Sequence, residues 1–394
     1  MGALLSSPKR RTSPLAKNEV FDTLYHNLCE SNSNGTMERM SKRKKSVAVA
    51  LSGGMDSFYA ARLLRDEGRE VVGIHLILPI GPQERERRKE AVLLLANELG
   101  IPLFFVDVGG SFEEKVIDYF IDAYLNGITP NPCVVCNQLI KFDEILKWAD
   151  EKGIDCLATG HYARVCRSSR SNHTELLKGK DRGKDQSYFL HRLKQEHLSR
   201  AVFPLGDFTK EEVCLMARGS GIPEIFHTES QEICFIPDND YRSLLREKRG
   251  NGIPSPGNII DLQDNVLGSH GGIHAYTIGQ RHGLGISSGD PLYVCRISPE
   301  KNEVAVAPRQ YLFSQSLIAE EFHWIGSKPD DRPIRVHAQI RYRHRPAKAI
   351  IAILADNRVR CDFDEPQWAA TPGQALVCYE GERVLGGGWI KKQA

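Results

Sequence analysis

The stretch that decides the fold is residues 46–57, SVAVALSGGMDS. An apolar run with the length of a buried strand leads directly into two glycines, and apolar side chains then recur at helical spacing as far as Gly68. A strand that turns through glycine into a helix is the first half of a parallel βα unit. Such a turn also suits a phosphate group, because its backbone N–H groups lie beside a helix N-terminus.

The same alternation continues along the chain. VVGIHLIL at 71–78, PLFFVDV at 102–108 and DCLATGHYARV at 155–165 have the composition of further strands. A helix is predicted near 84–99, ending at Gly100. Strands that alternate with helices predict an α/β fold with a doubly wound parallel sheet.

The pattern changes after about residue 238, where glycine and proline become frequent and short strands replace the βα units. Short strands separated by turn residues predict a small β-barrel. We therefore expect a disordered N-terminal extension at 1–45, a nucleotide-binding domain at 46–238, a small α+β central domain at 239–303 and a C-terminal β-barrel at 304–394.

Composition excludes several classes of protein. The chain has 394 residues, 41% of them apolar and 26% charged, as in soluble globular proteins. No apolar run approaches the roughly 18 residues of a membrane span, and the N-terminus lacks the apolar core of a signal peptide. Ten cysteines without a secretory signal predict reduced thiols in a cytoplasmic protein.

A basic stretch near the C-terminus indicates a possible acidic partner. Residues 335–348, RVHAQIRYRHRPAK, contain no acidic side chain. A solvated pair of strands can have this composition, and so can a surface that contacts a phosphate backbone. The sequence alone leaves both interpretations open.

The glycine turn has no lysine, so it is not the common GxxxxGKS/T phosphate loop. A pyrophosphate leaving group is a more natural occupant than a γ-phosphate, with Asp56 available to Mg²⁺. A second cluster, NPCVVCN at 131–137, could bind a metal, run a thiol–disulfide cycle or supply a nucleophile. A structural zinc site would need two more ligands, and there is no second CxxC or HxxxH.

Eight ordered segments resemble one family, the bacterial tRNA-specific 2-thiouridylases, over roughly residues 46–390. The first is the SGGxDS loop, and the others are TPNPCVVCNQLIKF (129–142), ATGHYAR (158–164), GKDQSYFL (183–190), FPLGDFTKEEV (203–213), SQEICFI (230–236), YTIGQRHGLGI (276–286) and TPGQALVCY (371–379). The resemblance implies a PP-loop ATPase domain, similar to adenine nucleotide alpha hydrolases. It also implies ATP-dependent 2-thiolation of the wobble uridine of tRNA, with ATP and Mg²⁺ as cofactors.

The resemblance also assigns residues one by one. Catalysis falls to Cys136 as nucleophile, to Cys234 as carrier of a persulfide and to Asp56. The ATP-binding positions are Ala50, Leu51, Ser52, Gly53, Gly54, Met55, Asp56, Ser57, Leu76 and Gly160. The tRNA-binding positions are Asn131, Pro132, Cys133, His161, Lys184, Asp185, Gln186, Arg341, Tyr342 and Gln374.

Three departures from the family pattern bear on the chemistry. Cys133 replaces a more usual aspartate, Glu232 replaces a glycine, and segment 79–88 is short. Cys133, Cys136 and Cys234 could together bind a 4Fe-4S cluster, or Cys136 and Cys234 could pass through a disulfide bond while Cys133 lines the base pocket.

The implied partners are tRNAs, with lysine, glutamate and glutamine acceptors expected, and a sulfur donor such as a cysteine desulfurase or a sulfur relay. The main alternative is another PP-loop adenylating ligase, or an amidotransferase, that acts on a small molecule. That alternative predicts neither a basic C-terminal barrel nor a need for Cys136 and Cys234.

Overall fold

The computed structural model describes residues 45–168, 173–218, 233–236, 240–330 and 332–391. The predicted N-terminal extension and Glu232 lie outside these residues. Within the described ranges, no helix is both long enough and apolar enough to cross a membrane.

The N-terminal domain is built on a parallel sheet, as predicted. Its strands are β1 (Ser46–Ala50), β2 (Glu70–Ile77), β3 (Leu103–Asp107), β4 (Cys156–Ala158) and β7 (Ala201–Val202), in the spatial order β3-β2-β1-β4-β7. All four neighbouring pairs are parallel. The strands β1 and β4 are almost wholly buried because helices cover both faces of the sheet.

Nine α-helices lie in the described residues, the first eight of them in the N-terminal domain. They are α1 (Met55–Asp66), α2 (Pro82–Leu99), α3 (Gly109–Phe112), α4 (Tyr119–Leu125), α5 (Pro132–Cys136), α6 (Asp143–Glu151), α7 (Gln195–Leu198), α8 (Lys210–Arg218) and α9 (Tyr241–Arg249). The segments Glu113–Asp118 and Asn137–Phe142 are π-helical, and Ser187–Leu190, Gly250–Gly252, Ile273–Ala275 and Arg309–Leu312 are 3₁₀ turns.

The helix α2 shows how local sequence fixes these elements. Proline stands at its first position, where the missing N–H costs nothing, and Gly100 ends it in the left-handed conformation. Residues Val92, Leu95, Ala96 and Leu99 form its buried face, at the spacing of a helical stripe.

The central domain contains α9 and a four-stranded sheet. Its strands are β8 (Gly257–Ile260), β9 (Val266–His270), β10 (Leu292–Ser298) and β11 (Glu303–Pro308), in the order β10-β11-β8-β9. We expected EVAVAP at 303–308 to begin the barrel, but β11 pairs with β8 and β10 instead. Its alternating pattern predicts a strand without specifying which sheet the strand joins.

The C-terminal domain is a closed β-barrel. Its strands are β12 (Phe313–Trp324), β13 (Ile334–Gln339), β14 (Ala347–Ile353), β15 (Val359–Trp368), β16 (Ala375–Glu380) and β17 (Arg383–Ile390), in the order β12-β15-β14-β13-β16-β17. Pairing of β12 with β17 closes the ring. The prediction of a C-terminal barrel is confirmed.

One predicted strand is divided between two sheets. The segment 155–165 was expected to be a single strand, but β4 ends at Ala158 and a new strand, β5 (Ala163–Arg167), starts after a turn. The hairpin of β5 and β6 (Thr174–Lys178) pairs with β17 and so extends the barrel sheet towards the N-terminal domain. The turn between β4 and β5 contains Gly160, which packs against α1.

Candidate active site

The nucleotide loop between β1 and α1 is held by its own hydroxyl groups. The Oγ of Ser57 accepts from the backbone N of Ser52 at 3.1 Å and donates to the carbonyl of Gly54 at 2.9 Å. Gly53 has a φ of +87°, and a Cβ there would lie 3.4 Å from the Cβ of Ala91 in α2. The loop is therefore fixed before any ligand binds.

This loop lies where the sheet changes direction. The chain runs outward from β1 to β2 and β3 on one side, and β4 and β7 lie on the other, so ligands are expected at the carboxyl end of β1. Leu76 stands two residues beyond Ile74, the partner of Ala50. Gly160 follows β4, and its Cα packs on the first turn of α1. The predicted ATP-binding residues thus share one edge of the sheet.

Asp56 is the acidic side chain of this loop and is already paired. Its Oδ1 accepts from the Nζ of Lys210 at 2.7 Å and from the hydroxyl of Tyr162 at 3.0 Å. Burial, and next the Asp56 charge, raise the pKa of Tyr162 well above its ordinary value, so the phenol remains a donor. Lys210 and Tyr162 stand in segments that carry the family resemblance, yet no sequence spacing predicted that they would meet at Asp56.

The cysteine pair lies on a short helix that leads into a π-helical segment. Asn131 is at the N-cap of α5 and is almost completely buried, and Pro132 occupies the first position. Cys133 is exposed, whereas Cys136 is half-buried. The π-helix that follows is a distortion often found at functional sites.

Cys234 is held by its apolar neighbours. Phe235 and Ile236 are buried, and the Phe235 ring packs edge-on against Phe112 at 5.6 Å and Phe120 at 5.4 Å. The Nη2 of Arg88 donates to the Cys234 carbonyl at 3.1 Å. Since Arg88 belongs to α2, the helix that packs on the nucleotide loop, the Cys234 segment and that loop share one support.

The three thiols influence one another electrostatically. Burial raises the pKa of Cys133 to about 11 and that of Cys136 to about 12, and the charge of Cys234 adds to both shifts. The pKa of Cys234 is raised too, again by burial. Cys133 and Cys234 are open to solvent, but enough protein surrounds them to disfavour the thiolate.

Lys141 partly opposes this desolvation, because its charge lowers the pKa of all three thiols. All three are free thiols in the structure. Burial therefore disfavours the thiolate at all three positions in the free protein.

Two residues expected to contact tRNA, Asp185 and Gln186, have hydrogen-bond partners inside the protein. The backbone N of Tyr162 donates to the Oε1 of Gln186 at 3.0 Å, and Asp185 accepts from the backbone N of Gly179 and of Ser187. Lys184, beside them, is half-buried.

His161 is buried and bonded to Thr159 at 2.7 Å. Burial lowers the pKa of His161 well below its ordinary value, so the imidazole is neutral. Contact of His161, Lys184, Asp185 or Gln186 with tRNA stays a prediction, and the observed bonds give the last two a role in holding the cleft together.

The barrel holds the cysteine segment in place. The Nε2 of Gln374 donates to the carbonyls of Thr129 and Pro130, at 3.1 and 3.0 Å. Nearby, the rings of Tyr342 and Phe189 lie 4.3 Å apart. Gln374 therefore links the barrel to the chain entering α5.

The basic stretch divides into two surfaces. The Nη1 of Arg341 donates to the Trp368 carbonyl at 3.1 Å, which leaves its guanidinium half-buried. Arg335, His337 and Lys348 are exposed and line an open depression on the barrel, with His337 and Lys348 paired across β13 and β14. Lys348 is better placed for phosphate than Arg341 is, whereas Arg335 is already paired with Asp364.

The fold and this site define a PP-loop nucleotide-binding protein with a central domain and a C-terminal β-barrel. Three family models match consecutive parts of the chain: the tRNA methyl transferase HUP domain over residues 45–238, the tRNA methyl transferase PRC-barrel domain over 249–308 and the aminomethyltransferase beta-barrel domain over 314–390.

Two relatives match almost end to end. The tRNA-specific 2-thiouridylase MnmA of Geotalea uraniireducens is 46% identical over 90% of this chain and 97% of its own. The protein of that name from Carboxydothermus hydrogenoformans is 44% identical over 89% of this chain and 98% of its own length. The chain therefore belongs to the tRNA-specific 2-thiouridylase family. Among solved structures, the U34-tRNA thiolase NcsA of Methanococcus maripaludis, with its 4Fe-4S cluster, aligns with a TM-score of 0.35 and 21% identity, over 59% of this chain and 73% of that one.

Proposed function

We propose that this protein uses ATP to replace the C2 carbonyl oxygen of the tRNA wobble uridine, at position 34, with sulfur. Full-length similarity to proteins named tRNA-specific 2-thiouridylase supports the reaction class. The observation that carries the proposal is the shared support of the nucleotide loop and Cys234. Arg88 binds the Cys234 carbonyl, and the next turn of α2 packs on Gly53. This shared helix supports a proposal in which the ATP site and the sulfur site are neighbours.

The proposed reaction has three chemical steps. The uridine oxygen first attacks the α-phosphorus of ATP, and pyrophosphate leaves. The terminal sulfur of a persulfide on Cys234 then attacks C2, and AMP leaves with the oxygen. Finally the Cys136 thiolate attacks the Sγ of Cys234, which breaks the S–S bond, frees the 2-thiouridine and leaves a Cys136–Cys234 disulfide. An external thiol reductant must restore the two cysteines before the next turnover.

The raised thiol pKa values suit this order of events. A thiol that stays protonated in the free protein does not react at random with oxidants, because the thiolate is the reactive form. Lys141 is the cation that favours the thiolate of Cys136. We infer that Cys136 is deprotonated only when substrate occupies the cleft.

One carboxylate oxygen of the nucleotide loop, the Oδ2 of Asp56, is suited to binding a Mg²⁺ ion. The Oδ1 of Asp56 is occupied by Lys210 and Tyr162, whereas no residue in the described ranges donates to its Oδ2. A hard cation with oxygen ligands could bind there together with phosphate oxygens. Such an ion would neutralise phosphate charge, and Asp56 is the residue of this loop that would hold it.

A four-iron cluster fits the cysteines in number and kind. Cys133, Cys136 and Cys234 supply three thiols within electrostatic reach of one another, and such a cluster with three protein ligands keeps one iron open. That iron would supply a binding place for sulfide. Anaerobic purification followed by iron and sulfide analysis separates the two routes, since fully active, iron-free protein is compatible only with the persulfide route.

We further propose that tRNAs with lysine, glutamate and glutamine acceptors are the substrates and that a cysteine desulfurase or a sulfur relay supplies the sulfur, in the cytoplasm. A ligase or amidotransferase acting on a small molecule would not need a barrel bonded to the cysteine segment, as Gln374 is to Thr129 and Pro130.

The function can be tested in cells and with purified protein. Mass analysis of wobble nucleosides in cells lacking this gene should show loss of 2-thiouridine, and normal levels with no second gene to compensate would overturn the proposal. With purified protein, tRNA, ATP and a persulfide donor, AMP, pyrophosphate and 2-thiouridine should form in equal amounts. Pyrophosphate release without thiolation would place the defect in sulfur delivery.

A further inference from the structure

The nucleotide loop lacks a basic side chain of its own. Residues 52–57 contain one acidic residue, Asp56, and no Lys or Arg. A polyphosphate that enters such a loop meets the backbone N–H groups and one carboxylate, and the carboxylate repels it. A cation brought from elsewhere in the fold would remove this repulsion and add attraction.

Lys210 is that cation in the structure. Its Nζ lies 2.7 Å from the Oδ1 of Asp56, although 154 residues separate the two in sequence. The Lys210 side chain is only 13% exposed, compared with 35% for Asp56. An ammonium group so shielded from water interacts more strongly with nearby charge than a surface lysine does.

The backbone around Lys210 is fixed. Its N–H donates to the Oδ2 of Asp181 at 2.9 Å. Thr209 and Glu212 bond reciprocally, each backbone N to the other's side chain, as in a capping box. Because Lys210 is the first residue of α8, this well-anchored end of the helix fixes the point from which the lysine side chain reaches the loop.

The contact with Asp56 is not needed to attach α8. Lys180 already binds Glu212 of this helix at 2.9 Å, and Asp181 holds its first residue. The helix also buries Val213 and Met216 in the core of the domain. The placement of Lys210 beside the loop therefore points to a ligand rather than to anchorage.

We propose that Lys210 is a phosphate-binding residue of the adenylation step, which rests on the proposed function. In the free protein the ammonium group pairs with Asp56 and lies 5.9 Å from the centre of the Tyr162 ring. When ATP binds, the ammonium group bonds to the β- and γ-phosphate oxygens, which leave as pyrophosphate. As the bond between the α-phosphorus and the bridging oxygen breaks, its electron pair passes to pyrophosphate, and Lys210 stabilises that charge.

The test compares ligands that do and do not contain pyrophosphate. Binding of inorganic pyrophosphate, ATP and AMP to the full-length protein is measured by calorimetry for wild type, Lys210→Met and Lys210→Arg. Lys180→Met is the matched control, since Lys180 also pairs with a carboxylate but is 42% exposed. We expect Lys210→Met to weaken the binding of pyrophosphate and of ATP about tenfold or more, which corresponds to about 1.4 kcal/mol. The affinity for AMP should stay within about twofold of the wild-type value.

Lys210→Arg should recover part of the lost affinity, and Lys180→Met should bind all three ligands like wild type. If Lys210→Met loses affinity equally for all three ligands and also has a lower melting temperature, Lys210 has a purely structural role. Unchanged pyrophosphate affinity would also overturn the proposal. Because neither tRNA nor sulfur is present, these outcomes do not depend on whether the protein thiolates tRNA.

A measurement on the wild-type protein covers the case in which Lys210→Met fails to fold. Acetylation of lysines is followed by mass spectrometry with and without pyrophosphate or AMP. Pyrophosphate should protect Lys210 and leave Lys180 as reactive as before, whereas AMP should protect neither. Equal labelling of Lys210 with and without pyrophosphate contradicts the assignment.

Discussion

Replacing Gly160 by alanine should weaken ATP binding and also destabilise the fold. The new Cβ would lie 2.9 Å from the carbonyl carbon of Asp56 and from the backbone N of Ser57, about half an ångström inside ordinary contact. Both atoms belong to the first turn of α1, so no side-chain rotation can relieve the clash. Overpacking of this kind costs about 1–3 kcal/mol.

That strain can be relieved by moving the start of α1 away from β4. The loop donors would then lie about 0.5 Å from their best positions, and we expect ATP affinity to fall about 5- to 30-fold, the equivalent of roughly 1–2 kcal/mol. Calorimetric titration with ATP measures the loss of affinity, and thermal unfolding measures the loss of fold stability. Gly81→Ala is the control, because Gly81 also follows a strand of this sheet but has open space around it and a φ of −49°. Wild-type ATP affinity in Gly160→Ala would refute the idea that this contact positions the loop.

Four further predictions follow from the site. Cys136→Ser and Cys234→Ser should each abolish thiolation while tRNA affinity stays within about twofold, since neither thiol is needed for phosphate contacts, and turnover near wild type in either variant contradicts the assignment. Gln374→Ala removes two hydrogen bonds to the segment before α5, which costs about 1–3 kcal/mol. Thiolation should therefore slow while ATP affinity is retained. Equal losses of thiolation rate and ATP affinity would instead indicate general unfolding. Because burial raises the pKa of Cys133 and Cys136, alkylation of these thiols should keep accelerating from pH 7 to pH 10, and a plateau below pH 9 would show a more acidic thiol than the structure indicates. Lys348→Ala should flatten the slope of log affinity for tRNA against log salt by about one unit, and an unchanged slope would remove the depression on the barrel from the phosphate path.

Local sequence was sufficient for much of the fold. The apolar run before Gly53 predicted β1, and the apolar spacing that ends at Gly100 predicted α2, because these patterns depend on residues a few positions apart. The choice of sheet was less predictable. The strands β5 and β11 were recognised as extended segments but assigned to the wrong partners, since alternation within a strand says nothing about which edge accepts it.

The site shows the same division between local and distant information. The glycine loop and the cysteine pair are short segments, and their residues could be named from sequence. The Lys210–Asp56 contact joins positions 154 residues apart, and no local pattern contains it. The raised pKa values of the thiols were likewise beyond sequence reasoning, because desolvation is the combined effect of every segment that surrounds the cleft.

The connection between barrel and cysteine segment explains why the domains must act as a unit. The φ of Gly373 is +86°, and a Cβ there would lie 2.3 Å from the Cγ2 of Ile128 and 2.7 Å from the carbonyl oxygen of Thr129. The backbone N of Thr129 donates to the carbonyl of Pro372 at 3.1 Å, and Gln374 completes the contact from its side chain. The chain therefore passes from the barrel contact to the start of α5 within three residues, too few to absorb a displacement. A shift of the barrel would therefore reach the cysteines directly, and under the proposed function this contact would couple placement of the RNA to sulfur transfer.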